Sequence, residues 1–224
     1  MNAESVMVSR NRFRAETDLP PYCQLNPKHA SLEDLKRVFG GKDFKIDLGC
    51  GYYKPPGFIG LDNGVGFHTQ IAGADNAPDL FMDLDRNPFP FADGSCAVVR
   101  ASHFLEHSSD IDHIVSESHR ILKPDGRFVI IVPYANSAEG MYPGHSVFLT
   151  EQWFGENLHF QRHFEFAYEK YYPSKLWAQL PLLVRLLIPF GLARKFLFNA
   201  CWQMELHGKP KGKTTTSNNH EGEC

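Results

Sequence analysis

Between residues 44 and 133 short apolar runs alternate with polar stretches rich in glycine and proline, a pattern that predicts buried strands joined by turns and helices. Five strands are predicted: Phe44–Leu48 (FKIDL), Phe58–Leu61 (FIGL), Asp79–Leu84 (DLFMDL), Cys96–Ala101 (CAVVRA) and Arg127–Pro133 (RFVIIVP). Ahead of them Ser31, with Asp34 three residues on, reads as a helix cap. Leu32, Leu35, Val38 and Phe39 follow at helical spacing until Gly40-Gly41 stops the run. Ile111, Ile114, Val115, Ser118 and Leu122 form a second helical stripe, opened by Ser109-Asp110 and closed by the turn Lys123-Pro124-Asp125-Gly126. Strands interleaved with helices in this way predict an α/β fold. Its mostly parallel sheet has helices on both faces and binds ligands beyond the carboxyl ends of the strands.

The last third changes character. Thr150 to Leu158 reads as helix, and Phe164–Tyr172 and Ala200–His207 alternate as a closing antiparallel pair. Between them, Leu176 to Trp202 is strongly apolar but carries Arg185, Arg194 and Lys195 and is interrupted by Pro181 and Pro189. It is too broken to cross a bilayer and is expected to pack as covering helices. Weak peripheral membrane contact through 176–202 is the lesser reading. The chain thus divides into an N-terminal extension (1–30), a domain over 31–208 and a polar tail (209–224). Within the domain, 44–133 is the ligand-binding core and 134–208 supplies lid and closing strands.

Composition narrows the function classes. In 224 residues, 23 Lys and Arg face 26 Asp and Glu, a net charge of −3, so there is no basic field of the kind that draws nucleic acid. Five cysteines, an odd number without a C-x-x-C pair, argue against a disulfide framework and a structural zinc site. With no apolar leader in the opening residues, a cytoplasmic protein is expected.

The chemistry-bearing residues sit at the predicted strand ends. Ile46-Asp47-Leu48-Gly49-Cys50-Gly51 closes the first strand, where glycines let a ligand approach the backbone. A dinucleotide fingerprint needs a third glycine at position 54, and Lys54-Pro55-Pro56 stands there instead, which counts against NAD. Asp62 ends the second strand and Asp83 lies at the end of the third. A carboxylate at the second end suits two ribose hydroxyls, and one at the third suits an exocyclic amine of adenine. Any one of them alone reads equally well as a loop cap; the ordered set points to a nucleoside-like ligand.

Taken together, IDLGCG (46–51), GLD (60–62), MDLDRNPFPFADGS (82–95), ASHFLEH (101–107) and RILKPDGRFVIIVP (120–133) resemble the class I S-adenosylmethionine-dependent methyltransferases. The likeness is to the small-molecule branch called type 11, over roughly Phe44 to Phe154. It implies a Rossmann-like methyltransferase fold with a seven-stranded sheet whose last strand is antiparallel, and S-adenosyl-L-methionine as cofactor. Asp47, Gly49 and Gly51 would line the cofactor's methionine portion, with Cys50 among the cofactor-binding residues. Asp62 would hold the ribose, Asp83 and Leu84 would flank the adenine, and Ser102 and His103 would face the methyl group. The chain departs from the family at the short links 52–57 and 63–78 and at Cys96-Ala97, where the family has Phe-Asp. Lys54 is expected to compensate at the cofactor's carboxylate.

Methyl transfer from a sulfonium is an in-line displacement, so the protein chiefly aligns the acceptor and excludes water. A base is needed only for an acceptor that must lose a proton. His103, after the fourth strand, and His145, in the loop PYANSAEGMYPGH, are the candidate catalytic residues; a backbone-ordering bond and a solvated loop position are their plainer readings. Tyr134 and Tyr142 are candidate substrate contacts, and Trp153 is expected to pack. His103 to His107 (HFLEH) also fits the inverted zinc-peptidase pattern, but nothing downstream identifies a third ligand and no metal is expected. The expected function is methylation of a small-molecule or sugar/lipid-precursor acceptor. The alternatives are a catalytically inactive nucleotide- or partner-binding relative and, behind it, a zinc hydrolase using HFLEH.

Overall fold

The computed structural model describes residues 19–26, 43–64 and 77–213; the helix expected at 31–39 and most of the polar tail lie outside the described residues. The strands are β1 (Gln24–Leu25), β2 (Phe44–Leu48), β3 (Ile59–Asp62), β4 (Leu80–Phe81), β5 (Cys96–Ser102), β6 (Leu122–Pro133), β7 (Phe164–Pro173) and β8 (Cys201–Pro210). They form one sheet in the order β1-β4-β3-β2-β5-β6-β8-β7. From β4 to β6 all neighbours are parallel, β8 runs antiparallel to both β6 and β7, and the short β1 pairs antiparallel on the far edge. This is the expected seven-stranded sheet with an extra edge ribbon.

The middle of the sheet is buried because its strands are predominantly apolar: Ile46, Leu48, Val99, Ala101, Phe128, Ile130 and Val132 have no exposed surface. Helix α1 (Ile111–Ile121) presents Ile111, Ile114, Val115, Ser118 and Ile121 to this core, and its first turn is capped by Asp110, whose carboxylate accepts the His113 N–H at 2.9 Å. The Pro-led turn expected after it survives inside β6. Leu122 pairs with Cys96 but Val98 pairs with Arg127, so residues 123–126 bulge out before the strand resumes.

No helix joins β2 to β3. Ten residues suffice to run back along a five-residue strand, and Gly49, Gly51 and Gly57 take positive φ to do so. The third strand is shorter than its sequence suggests. Leu80–Phe81 is hydrogen-bonded as strand, and the chain then turns at Asp83, whose side chain accepts the Asp85 N–H at 3.0 Å.

The C-terminal apolar stretch departs furthest from expectation. After α2 (Glu151–Glu156) and α3 (Leu158–His163), the chain between β7 and β8 forms three short helices, α4 (Lys175–Gln179), α5 (Leu182–Leu187) and α6 (Phe190–Phe196). Their inward contacts come from Trp177, Ala193 and Ala200, with Leu180, Ile188 and Phe190 beside them. The other apolar side chains point outward rather than packing as covering helices do: Leu183 is 75% exposed, Leu187 81% and Phe196 76%, with Leu176, Leu182, Leu186 and Leu192 also exposed. No helix among the described residues is long and apolar enough to cross a membrane.

Candidate active site

Parallel register brings the loops that leave β2, β3, β4 and β5 to one edge. Leu48 is paired with Ala101, so Gly49 emerges beside Ser102. These loops enclose a cleft of about 730 Å3 whose walls include Gly49, Cys50, Gly51, Asp62, Asp83, Leu84 and Ser102. At its floor Gly49 has φ +59°, and a Cβ built there would lie 2.2 Å from Cδ2 of Phe104. Only glycine meets both demands.

Asp62 is fixed from both sides. Its Oδ2 accepts the Gly51 N–H at 2.8 Å and its Oδ1 accepts the Gly64 N–H at 2.9 Å. Each oxygen keeps acceptor capacity directed to the cleft, the arrangement that two vicinal hydroxyls require. Asp83 is more exposed, with Arg86 at 3.7 Å, and Leu84 is buried beside it. Cys50 is buried, its thiol donating to the Gly51 carbonyl at 3.5 Å, and burial pushes its pKa upward, so it acts as a wall rather than a nucleophile.

Two expectations are corrected here. Asp47 is fully buried and does not line the cleft: it sits opposite Arg100 in the β2–β5 register and receives two hydrogen bonds from Nη1 of that residue at 2.7 and 2.9 Å. Burial pushes the Asp47 carboxyl up to about 6, with Arg100 opposing. The residue that reaches the cleft at this point is Arg100. Lys54, expected at the cofactor's carboxylate, is paired instead with Asp79, whose oxygens it meets at 2.7 and 2.8 Å, and that aspartate also accepts the Gly60 N–H. Lys54 therefore braces the β2–β3 link.

Asp85 is a further cleft residue that strand-end reasoning passed over. It accepts the Ser108 hydroxyl at 2.6 Å, the Ser109 hydroxyl at 2.7 Å and the Ser109 N–H at 2.8 Å, tying the segment after β4 to the entry of α1. Burial alone would raise its pKa, but these donors and the Asp110 N–H outweigh burial and hold it below the usual carboxylate value.

The other end of the cleft is lined by His103, Phe104, Glu106, His107, Tyr142 and His145. His103 sits at φ +51°, with its N–H bonded to the Ile131 carbonyl at 2.8 Å. One ring nitrogen, Nε2, meets Oε1 of Gln203 at 3.0 Å, Nδ1 stands 3.5 Å from Oε1 of Glu106, and the ring stacks on Trp202. Glu106 raises the His103 pKa, burial opposes it and Gln203 adds to it. Residues 105–107 form a single 3-10 turn rather than an α-helix, so His103 and His107 do not share a helix face. The HFLEH zinc-peptidase reading fails on this geometry.

Tyr142 and His145 come to the cleft as expected, whereas Tyr134 does not. Tyr134 is buried and donates to Oε2 of Glu151 at 2.9 Å, while Arg194 bonds the Tyr134 hydroxyl at 3.2 Å and Glu151 and lies 3.7 Å over the Tyr171 ring. This cluster pins α6 to α2 and to the loop after β6. Trp153 packs on Phe154 and the main core, as expected.

Comparison with known proteins agrees with this geometry. The type 11 family model, described as a methyltransferase domain, matches residues 46–130. A curated relative, an uncharacterized 37.1 kDa protein in transposon TN4556 of Streptomyces fradiae, is 31% identical over 111 residues, which is 44% of this chain and 32% of that protein. The chain thus matches about a third of that relative's length. Among solved structures, a SAM-dependent methyltransferase from Archaeoglobus fulgidus superposes with a TM-score of 0.54 at 17% identity, over 80% of this chain and 90% of that one. The [4+2]-cyclase SpnF superposes with a TM-score of 0.53 at 17% identity, over 84% and 85%. The glycine floor and the acidic strand ends lie within the matched segment: over residues 46–130 the chain is similar to the type 11 S-adenosylmethionine-dependent methyltransferase domain, and its sheet has the Rossmann-like methyltransferase fold.

Proposed function

We propose that this chain transfers a methyl group from S-adenosylmethionine to an acceptor presented at a membrane surface, a lipid or lipid-linked sugar precursor. The fold alone does not choose this chemistry, since the [4+2]-cyclase SpnF shares it. The observation that carries the cofactor half is the doubly anchored Asp62 facing a glycine floor that admits no side chain. The residues fit the cofactor: Asp62 takes the ribose hydroxyls, Leu84 and Asp83 the adenine, and the Arg100 guanidinium the amino-acid carboxylate that Lys54 does not reach. Bound there, the cofactor supplies an electrophilic sulfonium methyl.

The chain's own residues do the rest. Ser102 ends β5 and His103 follows it at the point where the acceptor must approach, and Phe104 shields that point from water. Gln203 and Trp202 hold the His103 ring in place to take the acceptor's proton where one must leave. His145 borders the same end.

The membrane half rests on the outward face of α4 to α6. Because β7 runs parallel to β6, its end at Pro173 lies on the same edge as Pro133, and Tyr172 and Pro133 both register with Gln203, the partner of His103. The chain segment that carries the exposed leucines therefore leaves β7 at the strand end nearest His103. No acidic residue occurs between Glu169 and Glu205, whereas Lys170, Lys175, Arg185, Arg194 and Lys195 do. With Arg194 turned inward onto Glu151, the remaining cations stand among apolar side chains, a combination that matches an anionic bilayer surface. This side of the bilayer would be the cytoplasmic one.

Radiolabelled S-adenosylmethionine incubated with the protein and a total lipid extract tests the reading, with label expected in the organic phase. Absence of cofactor binding by calorimetry would overturn it. Flotation with vesicles of phosphatidylglycerol and phosphatidylcholine tests the surface. Binding is expected to fall at least tenfold in Leu183→Glu/Leu187→Glu, and equal flotation of the two proteins would remove the membrane half alone.

A further inference from the structure

The acceptor end holds a group of side chains that methyl transfer does not require. Glu106 is 2% exposed, and neither of its carboxylate oxygens has a hydrogen-bond partner. Its closest cationic neighbour, Nδ1 of His103, stands at 3.5 Å, an ion-pair distance that leaves the oxygens unsatisfied. A buried carboxylate with nothing on it is costly unless something else occupies the position.

His107 and His145 face it. One ligand atom from each of Glu106, His107 and His145 lies within 4.8 Å of the other two. The two rings meet edge to face with centroids 4.8 Å apart. Each ring is oriented by a backbone carbonyl: His107 Nδ1 is 3.0 Å from the Gly144 oxygen, and His145 Nδ1 is 3.1 Å from the Gly140 oxygen. A carbonyl can only accept, so Nδ1 carries the hydrogen in both rings and Nε2 keeps its lone pair. Metal-binding histidines are held in the same way, through the nitrogen that does not ligate. The loop bearing His145 is itself fixed on Glu106, whose main-chain oxygen accepts the Ser146 N–H at 2.7 Å and the Val147 N–H at 3.3 Å.

We infer that Glu106, His107 and His145 form a binding site for a divalent transition-metal ion at the acceptor end of the cleft. Two imidazoles and one carboxylate suit zinc, iron or manganese rather than the all-oxygen sets of magnesium and calcium. Ligand atoms of a tetrahedral site lie about 3.3 Å apart, so the three groups close by about 1 Å around an ion, a movement within the reach of side-chain rotation. Three protein ligands leave a position open toward the cleft, where an acceptor oxygen completes the coordination. The use of the ion in catalysis rests on the methyl-transfer reading; its binding does not. This set differs from the HFLEH pattern, since the third ligand comes from the loop after β6 and His103 is engaged elsewhere.

The test uses the full chain stripped with EDTA and titrated with Co2+ alone, followed by displacement with Zn2+. One equivalent of Co2+ should bind, with visible d–d bands, and affinity should fall at least tenfold in Glu106→Gln and in His145→Ala. With 11 histidines in the chain, His163→Ala, in the separate cluster with His119 and His159, is the control and should bind Co2+ as the parent does. Failure to bind one equivalent, binding that survives His145→Ala, or loss in His163→Ala instead would overturn the site. His145 is on a partly exposed loop, so its variant decides the matter should Glu106→Gln fail to fold. Calorimetric binding of S-adenosylmethionine by the same samples separates the two proposals: cofactor binding without cobalt binding sinks the metal site and leaves the methyltransferase reading standing.

Discussion

Gly49→Ala is the sharpest perturbation of the cofactor floor. Two costs act together. An L-residue at φ +59° gives up about 1–2 kcal/mol relative to glycine, and the new methyl would lie 2.2, 2.5 and 2.8 Å from three carbons of Phe104, inside any permissible contact. Displacing that ring adds about 1–3 kcal/mol of overpacking. The sum is about 2–5 kcal/mol, a large part of the stability of an ordinary domain. Urea denaturation of Gly49→Ala, Phe104→Ala and the double variant measures both costs. The steric part should vanish when Phe104 is already alanine, so the double variant should be more stable than the sum of the single effects predicts, by about 1–3 kcal/mol, while the backbone part persists. Additive effects, or a Gly49→Ala cost below about 1 kcal/mol, would refute the assignment of a crowded left-handed glycine here. Displaced Phe104 also intrudes on the cleft, so cofactor binding by calorimetry should weaken in Gly49→Ala even where the protein remains folded.

Other consequences are as specific. Asp62→Ala removes the charged acceptor for the ribose hydroxyls and should weaken S-adenosylmethionine binding by about 1.5–3 kcal/mol in calorimetry; an unchanged dissociation constant would reject the ribose role. Arg100→Gln should weaken binding of S-adenosylmethionine more than that of 5′-methylthioadenosine, which lacks the amino-acid end, and equal losses for both would contradict contact between Arg100 and the carboxylate. The same variant leaves Asp47 buried without its cation, so burial raises that carboxyl further still; its melting temperature should fall most at neutral pH and recover on acidification, as the carboxyl takes up its proton in the folded protein. Asp85→Asn should destabilise by about 1.5 kcal/mol. Because the folded-state pKa of Asp85 is depressed, its contribution is complete above its ordinary value and is lost as pH falls through the folded value. The gap between parent and variant in thermal unfolding should therefore narrow below about pH 4, and a gap that widens there would contradict the donor set.

The three short helices give the domain an asymmetric surface. Arg194 is the hinge of this arrangement: it holds α6 inward through Tyr134, Glu151 and the Tyr171 ring, so that Leu192 and Phe196 on the same helix turn outward. Ala193 and Phe190 pack inward beside that cluster, so α6 is seated without its Leu192 and Phe196.

The one-dimensional pattern was sufficient for much of this. An unbroken apolar run such as Phe128–Val132 fits a strand covered on both faces, and the stripe Ile111, Ile114, Val115, Ser118 fits a helix laid on the sheet. Since a parallel strand exits the sheet at its carboxyl end, Gly49, Asp62 and Asp83 had to fall on one edge wherever the strands lay in the sheet. Pairing partners across the sheet were decided by the tertiary structure alone. Nothing local distinguishes Asp47 from Asp62, yet register sets Arg100 against the first and buries it, while two backbone N–H groups hold the second open to the cleft. An arginine inside CAVVRA was the available signal, because a cation in a buried strand demands a carboxylate, but the sequence does not say which one. The pairing of Glu106 with His145 depends on how the loop after β6 returns, and the outward leucines of α5 depend on which few residues found room beneath them. Periodicity is a property of neighbours along the chain and is legible there; electrostatic partnership and solvent exposure are properties of neighbours in space, and arise only when the chain has closed on itself.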